Sequence, residues 1–402
     1  MIQLENYRQE FPALANKNYF NYGGQGTLPK IAMNTISQAQ EYIQSTGPFG
    51  YEAKTWIDSE TKALRIAVAS ELNVTENTVT ITENVTMGCN IIMWGIDWQA
   101  GDHLLISDCE HPGVVAISQE ISHRFKVEIN TCSLIPTLNN DNAVTVIQQN
   151  LRPNTRLLVL SHVLWNTGQL LPINEIADIC NINRTLLLVD AAQSMGMLPL
   201  DLHSSGVDFY AFTGHKWLCG PEGIGGLYIK AESGERLRPT FIGWRSIIAN
   251  FQEEPIGWQK DGQRYEVATS SYSLYPGLRE AITIHKQWGN STERYHQICA
   301  NSEYLWYRLA EIPQVQCLRT TPPESGLVSF QISPSKTYTS SQLVRFLESE
   351  YKVFCRYIIK PNSIRACVHY FTSKSEVDKL IEGVIDWIER KKIIGEELIT
   401  IP

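Results

Sequence analysis

The sequence predicts an α/β protein, with a mostly parallel sheet in a large domain and a smaller α+β domain after it. Three observations predict this. Between residues 78 and 229, short aliphatic or β-branched runs alternate with stretches of helical spacing, the pattern of parallel strands joined by covering helices. Two of the runs, RLLVLS (156–161) and TLLLVD (185–190), have no internal polar alternation, as strands buried on both faces require. Finally, 402 residues exceed the about 100–200 of a typical domain, so two domains are expected.

The elements follow in order. Thr78–Thr82 reads as a strand entering a helix over Thr86–Trp98. His103–Ser107 is the next strand, Gly113–Phe125 the next helix, and Lys126–Cys132 alternates in polarity like a strand. After Arg156–Ser161 come a helix at Ile173–Asn183 and the strand Thr185–Asp190. Val207–Phe212 is a further strand, and Gly225–Ile229 follows a turn rich in Gly and Pro. Beyond about residue 240 the alternation stops. Residues 243–264 read as a loop, and one long helix runs from near Pro276 towards Leu309. Strands at Leu327–Ile332 and Ser363–His369, with helices at Ser340–Tyr351 and Ser375–Lys391, make the smaller domain. The loop Asn21–Pro29 and the residues before it are expected to pack with that domain. The division is therefore 1–30, 31–265 and 266–402.

Composition narrows the function. Apolar residues are 43% and charged residues 19%, which excludes disorder as the main state. With 34 basic and 42 acidic residues the net charge is −8, giving no bulk attraction to nucleic acid or an anionic membrane. The nine cysteines are odd in number and scattered, with no C-x-x-C pair, which argues against a disulfide scaffold or a structural metal site. Met1–Pro12 carries Glu5, Arg8 and Glu10 and lacks the apolar core of a secretory signal. A soluble cytoplasmic enzyme is expected.

In sheets of this kind ligands sit at the carboxyl ends of the strands, and four positions there stand out. Lys216, in FTGHKWLCGPEGIGGLY, follows a buried strand among aromatics and glycines. Desolvation lowers an amine pKa, and a neutral amine condenses with an aldehyde; a lysine reaching out to solvent is the alternative. Asp190 ends TLLLVD, where it either caps a helix or pairs with a protonated pyridine nitrogen. His111, in SDCEHPGVV, is either a helix-start residue or a ring stacked on a planar cofactor. Thr86, Met87 and Gly88 lie at a strand-to-helix turn that suits either an ordinary cap or a phosphate. The ordered set has the parts that pyridoxal phosphate needs.

With NYGGQGTLP, VDAAQS and the Lys216 segment, the chain resembles the fold-type I pyridoxal phosphate enzymes of the class V aminotransferase and cysteine desulfurase superfamily. The resemblance implies a seven-stranded type of sheet and a homodimer with the active site at the interface. It implies that Lys216 carries the cofactor and moves the α-proton, that Asp190 pairs with the ring nitrogen, and that His111 stacks on the ring. Gln193 would contact the ring hydroxyl, and Thr86, Thr213 and His215 the phosphate. Thr269, in YEVATSS, would reach the phosphate of the neighbouring subunit. Arg365, with Arg356 assisting, would hold the substrate carboxylate.

In SHVLWNTGQ the spacing leaves open whether Trp165 or Asn166 faces the cofactor. Tyr22, Trp244, Trp258 and Arg245 are candidates to line a pocket for a larger disulfide amino acid. The mobile cysteine that desulfurases place before the carboxylate arginine is missing, because Tyr357–Ser363 holds none and Cys355 and Cys367 only flank it. The implied activity is therefore C–S lysis by β-elimination of cystine, and more weakly cysteine. Iron–sulfur assembly is the implied use of the released sulfur. A desulfurase, aminotransferase or epimerase is the alternative.

Overall fold

The computed structural model describes residues 4–140, 142–332 and 340–399. The chain opens with helix α1 (Leu4–Arg8) and the two-residue strand β1 (Asn18–Tyr19), then α2 (Lys30–Thr46) and α3 (Tyr51–Leu72). The main alternation follows as β2 (Val79–Thr82), α4 (Val85–Gly95), β3 (His103–Ser107), α5 (Pro112–Phe125), β4 (Glu128–Cys132), α6 (Ala143–Asn150) and β5 (Thr155–Ser161). It continues through α7 (Ile173–Asn183), β6 (Leu186–Asp190), β7 (Phe209–Thr213) and β8 (Gly225–Ile229).

These strands form one seven-stranded sheet in the order β2-β8-β7-β6-β5-β3-β4. Neighbours from β7 to β4 pair in parallel, whereas β8 runs antiparallel to both β7 and β2. Alternate residues of a strand face opposite sides, and the unbroken apolar runs use this fully. Leu158, Leu160, Leu187 and Val189 enter one core with residues of α3 and α7. Leu157, Val159, Leu186 and Leu188 enter the other, with α4 and α5.

The chain then passes through α8 (Ala231–Gly234), a hairpin of β9 (Ile247–Ala249) and β10 (Pro255–Trp258), α9 (Leu274–Trp288) and α10 (Ser291–Ala310). The remaining elements are β11 (Val315–Cys317), β12 (Leu327–Ile332), α11 (Ser340–Tyr351), β13 (Val353–Phe354), β14 (Arg356–Ile358), β15 (Ser363–Cys367) and α12 (Lys374–Ile399). A four-stranded antiparallel sheet in the order β11-β12-β15-β14 packs on α10, α11 and α12. The N-terminal segment lies against this part. Strand β1 pairs with β13, Arg8 bonds Glu376 at 2.6 Å, and the Phe11 ring stacks on Phe371.

Several sequence expectations are corrected here. The single helix towards Leu309 is two helices. Asn290 accepts the Glu293 N–H at 2.9 Å while Glu293 accepts the Asn290 N–H at 2.8 Å, a capping box that starts a new helix after Gly289. The 243–264 loop contains the β9–β10 hairpin. The helix expected to reach Trp98 stops at Gly95, because Ile96 is extended and Trp98 folds back to donate Nε1–H to the Met93 carbonyl at 2.7 Å. Helix α9 lies beyond residue 265, yet it contributes Tyr275, Leu278 and Ile282 to the core of the large sheet. Among the described residues no helix is long and apolar enough to cross a membrane.

Candidate active site

The carboxyl ends of β3, β5, β6 and β7 gather one cluster of polar side chains, and β15 of the smaller sheet adds to it. Asp190 is the last residue of β6. It is buried, and its Oδ1 accepts the Ala192 N–H at 2.9 Å. Burial raises its pKa, while that hydrogen bond and the charges of Lys216 and His111 act against the rise. Lys216 sits in the turn after β7. Burial pushes its amine down to about 8; Asp190 pulls the other way, and Arg365 and Arg356 add to the fall. That leaves about a tenth of the amine neutral at pH 7, far more than in a free lysine, and the neutral amine is the form that makes an imine.

His111 is the N-cap of α5, its Nδ1 accepting the Gly113 N–H at 3.2 Å. Burial lowers its pKa, and its ring meets Trp165 edge-on at 6.0 Å. A Cβ at Gly113 would lie 3.3 Å from His111 Nδ1 and 3.7 Å from Thr86 Cγ2, so a glycine there lets the two sites approach. Thr86 is exposed in the first turn of α4. Asn84, which the sequence analysis does not single out, caps that turn by accepting the Met87 N–H at 3.0 Å. Its signal is an Asn directly ahead of the helical spacing. Thr213 Oγ1 and His215 Nδ1 are bonded at 2.6 Å. A Cβ at Gly225 would lie 3.0 Å from Thr213 Cα and 3.2 Å from Asn84 Cα, so this glycine lets the Thr86 and Thr213 ends close on one another.

Arg365, on β15, is 1% exposed. Its Nη1 donates to the Trp165 carbonyl at 2.7 Å, while Nε and Nη2 are buried without a partner. An unpaired buried guanidinium is costly, and two free N–H groups in a fork match a carboxylate. Gly23 lies against it, and a Cβ there would sit 3.0 Å from both Cζ and Nη2. Arg356 is paired with Arg365 in the sheet register but is exposed. The Trp165 backbone holds Arg365 and its ring faces His111, while Asn166 donates to the Lys360 carbonyl at 3.1 Å and keeps a buried, unpartnered Oδ1.

Other candidates are placed differently. Gln193 bridges two elements, donating to the Gly23 carbonyl at 2.9 Å and accepting from Trp217 Nε1 at 3.0 Å. Tyr22 is fully buried in an aromatic core with Trp217, His369 and Phe371, its hydroxyl unpartnered. Its ring is therefore core filling, and not the wall of an open pocket. Trp244, Arg245 and Thr269 line a second cleft, with Phe49 and Asp58, whose walls include none of the Lys216 cluster. Arg245 is already committed to Glu266 and to the Tyr272 hydroxyl, so its guanidinium is not free to face a bound disulfide amino acid. Trp258 is exposed on β10.

Glu110 is a further residue that the sequence analysis does not single out, although it directly precedes His111 in SDCEHPG. It is buried, accepts Ser107 Oγ at 2.5 Å, and takes the Ser161 N–H and Oγ at 3.2 and 2.9 Å. It thus ties the ends of β3 and β5 together beside His111. Burial pushes its carboxyl up to about 8. Cys355 and Cys367 are both buried, and burial pushes the Cys355 thiol up to about 12. Among the described residues, no group of three or more His, Cys, Asp or Glu is placed to hold a metal ion.

A strand-end lysine, aspartate and histidine, beside a helix start and a buried arginine, are the groups that a site for an anionic amino acid and a phosphate-bearing aldehyde would use. Residues 25–380 match the aminotransferase class-V family, and the chain belongs to that family. The solved complex of the cystine C–S lyase C-DES with its reaction product cysteine persulfide is 46% identical. It covers 92% of this chain and 98% of that one, with a TM-score of 0.90. A Lys-to-Ala mutant of C-DES with glycine covalently linked to the PLP cofactor superposes with a TM-score of 0.91 at 46% identity, over 93% and 98% of the two chains. Isopenicillin N epimerase of Streptomyces clavuligerus is 25% identical over 393 residues, 90% of this chain and 93% of that protein. A cysteine desulfurase of Escherichia coli is 29% identical over 319 residues, 74% and 75% of the two chains.

The architecture is that of the PLP-dependent fold type I enzymes, and the residues present fit that cofactor. A desolvated amine, a buried carboxylate and a cap-bearing helix start converge. The N–H groups of Val85 and Thr86 have no partner among the described residues, leaving donors for a phosphate at the positive end of α4.

Proposed function

We propose that this protein is a pyridoxal-phosphate-dependent C–S lyase. It cleaves cystine, and cysteine more weakly, by β-elimination to pyruvate, ammonia and cysteine persulfide or sulfide. The observation that carries the reading is the lack of a mobile, exposed thiol: Cys367, whose Sγ lies beside Arg365, is buried within β15. Tyr357–Ser363 contains no cysteine, and the flanking Cys355 and Cys367 are buried. Without a mobile thiol the sulfur has no enzyme acceptor, so it leaves with its own electron pair. The likeness to C-DES supports the same reading.

When bound, pyridoxal phosphate supplies an aldehyde for the substrate amine and a ring that takes up the electron pair released at Cα. Lys216 would hold that aldehyde, and its freed Nζ would accept the Cα proton of the substrate. Asp190 would pair with the ring nitrogen, and His111 would stack on the ring. Thr86 and its neighbours in the first turn of α4, together with Thr213 and His215, hold the phosphate. Gln193, through its second N–H, would contact the ring hydroxyl, and the unpartnered Asn166 Oδ1 would be a further polar group for the cofactor. Arg365 orients the α-carboxylate through Nε and Nη2, with Arg356 adding positive charge. As the Cβ–S bond breaks, its pair leaves on sulfur and the Cα pair forms the Cα–Cβ double bond. The enamine then hydrolyses to pyruvate and ammonia. A persulfide leaves more readily than a simple thiolate because its conjugate acid is stronger, which favours cystine.

The site is completed in a homodimer, with Thr269 serving the phosphate of the neighbouring subunit. Thr269 is exposed, and Trp244, Phe241, Ile242 and Phe251 of the preceding segment are more than half exposed, an apolar surface of the kind that subunits cover. Nine free cysteines suit a reducing cytoplasm, where the labile sulfur serves an iron–sulfur acceptor protein.

The test is product analysis of the purified protein with cystine and with cysteine. Pyruvate equal to substrate consumed, with persulfide from cystine, is expected. Alanine in place of pyruvate overturns elimination in favour of desulfurase chemistry.

A further inference from the structure

The turn that presents Lys216 is irregular and buried, so each of its carbonyls needs a donor. Three are met by backbone: Gly214 by the Gly220 N–H at 2.9 Å, His215 by the Gly26 N–H at 2.6 Å and Lys216 by the Cys219 N–H at 3.0 Å. The next two are met by side chains from remote parts of the chain. His369 Nε2 bonds the Trp217 carbonyl at 3.1 Å, and His285 Nε2 bonds the Leu218 carbonyl at 2.8 Å. We propose that His285 and His369 are positioning residues for Lys216, acting as neutral Nε2–H imidazoles that hold its turn in place. The inference rests on Lys216 being the lysine that carries the cofactor.

The tautomer follows from the partners. A carbonyl only accepts, so Nε2 carries the hydrogen in both rings. His285 Nδ1 is then an acceptor, and the Tyr370 hydroxyl donates to it at 2.5 Å while bonding Tyr7 on its other side. His369 Nδ1 is buried without a partner, so that ring too is without a second proton. Burial pushes the His285 pKa down to about 3, with Arg294 adding to the fall, and it holds His369 well below the ordinary histidine range. The Trp217 and His369 rings stack at 5.7 Å and 23°, and the His369 and His285 rings at 5.6 Å and 24°. Trp217 is fixed in turn by Gln193.

The geometry links the two halves of the site. His369 lies four residues after Arg365 on the segment leaving β15, and His285 lies on α9. One stretch of chain therefore sets both the carboxylate fork and the lysine turn.

The test uses holoenzyme variants His285→Phe and His369→Phe, which keep a ring and lose the donor. Their counterparts His285→Gln and His369→Gln keep an N–H at similar reach. The readout is borohydride trapping of pyridoxal phosphate on Lys216, mapped by peptide mass against pH. For the Phe variants we expect the midpoint to rise by about one unit, an about tenfold loss of free amine at neutral pH, with recovery in the Gln variants. Folded Phe variants that trap Lys216 with the unaltered midpoint overturn the proposal. If a Phe variant does not fold, nitrogen-15 histidine spectra of the unaltered holoenzyme decide. Two neutral Nε2–H rings support the proposal, and an Nδ1–H or doubly protonated ring overturns it. Failure to trap Lys216 in the unaltered protein instead removes the functional reading itself.

Discussion

Lys216 and Arg365 both carry a cost of burial that the neighbouring protein groups relieve only in part. The lysine loses its proton readily because the turn shields it from water, and the arginine keeps two N–H groups with nothing to bind. Lys216→Ala is therefore expected to abolish turnover and the covalent attachment of the cofactor, read by activity and by the absorbance of the bound aldehyde. In the cofactor-free protein, capture of pyridoxal phosphate should accelerate as pH rises through about 8, because the free amine is the reacting form. Arg365→Lys keeps the charge and loses the fork. Loss of a charged hydrogen bond is worth about 1.5–3 kcal/mol, so the KM for cystine should rise about ten- to a hundredfold. Cys355→Ala and Cys367→Ala should each keep most of the lyase activity, and a loss of several hundredfold (about 3 kcal/mol in the barrier) in a folded variant would restore the desulfurase reading.

The elements matter through their ends. The Lys216 cluster sits where β3, β5, β6 and β7 stop, and Glu110 fastens two of those ends together. Its folded pKa of about 8 lies above the ordinary carboxylate value of 4.5. Between these values the folded protein holds a proton that the unfolded chain has released, so this group makes stability fall as pH rises through that window. Glu110→Gln should flatten this slope and raise the melting temperature more at pH 8 than at pH 5, measured by calorimetry. The strand ends are legible in the sequence because parallel strands buried on both faces leave unbroken apolar runs with a polar residue after them. The α9–α10 break and the β9–β10 hairpin are much less legible. The first is signalled only by Asn290 and Glu293 at capping-box spacing, and the second is a short exposed ribbon with little apolar alternation.

At the scale of the whole molecule, the large sheet carries Lys216, Asp190 and His111 at its strand ends, and the smaller sheet carries Arg365, the proposed cofactor seat and carboxylate fork. The cleft lined by Thr269 shares no wall with either, and on the hairpin that precedes it Phe251 is fully exposed and Ile256 largely so. In the proposed homodimer this face is covered by the partner, so Phe251→Asp together with Ile256→Asp should shift the protein towards monomer in light scattering and weaken cofactor retention. An unchanged dimer would place the interface elsewhere.

The sequence alone determined the α/β class and the order of the strands along the chain, and it pointed to Lys216, Asp190 and His111. These follow from local patterns, such as apolar runs, strand-end polar residues and short motifs. The tertiary structure decided what those residues can do. It showed that Arg365 keeps two unpaired N–H groups, that Arg245 is committed to Glu266 and Tyr272, that Tyr22 is core, and that His285 and His369 grip the lysine turn from 67 and 152 residues away. Such partnerships depend on which segments meet in space, and burial and hydrogen-bond satisfaction are set only when they meet.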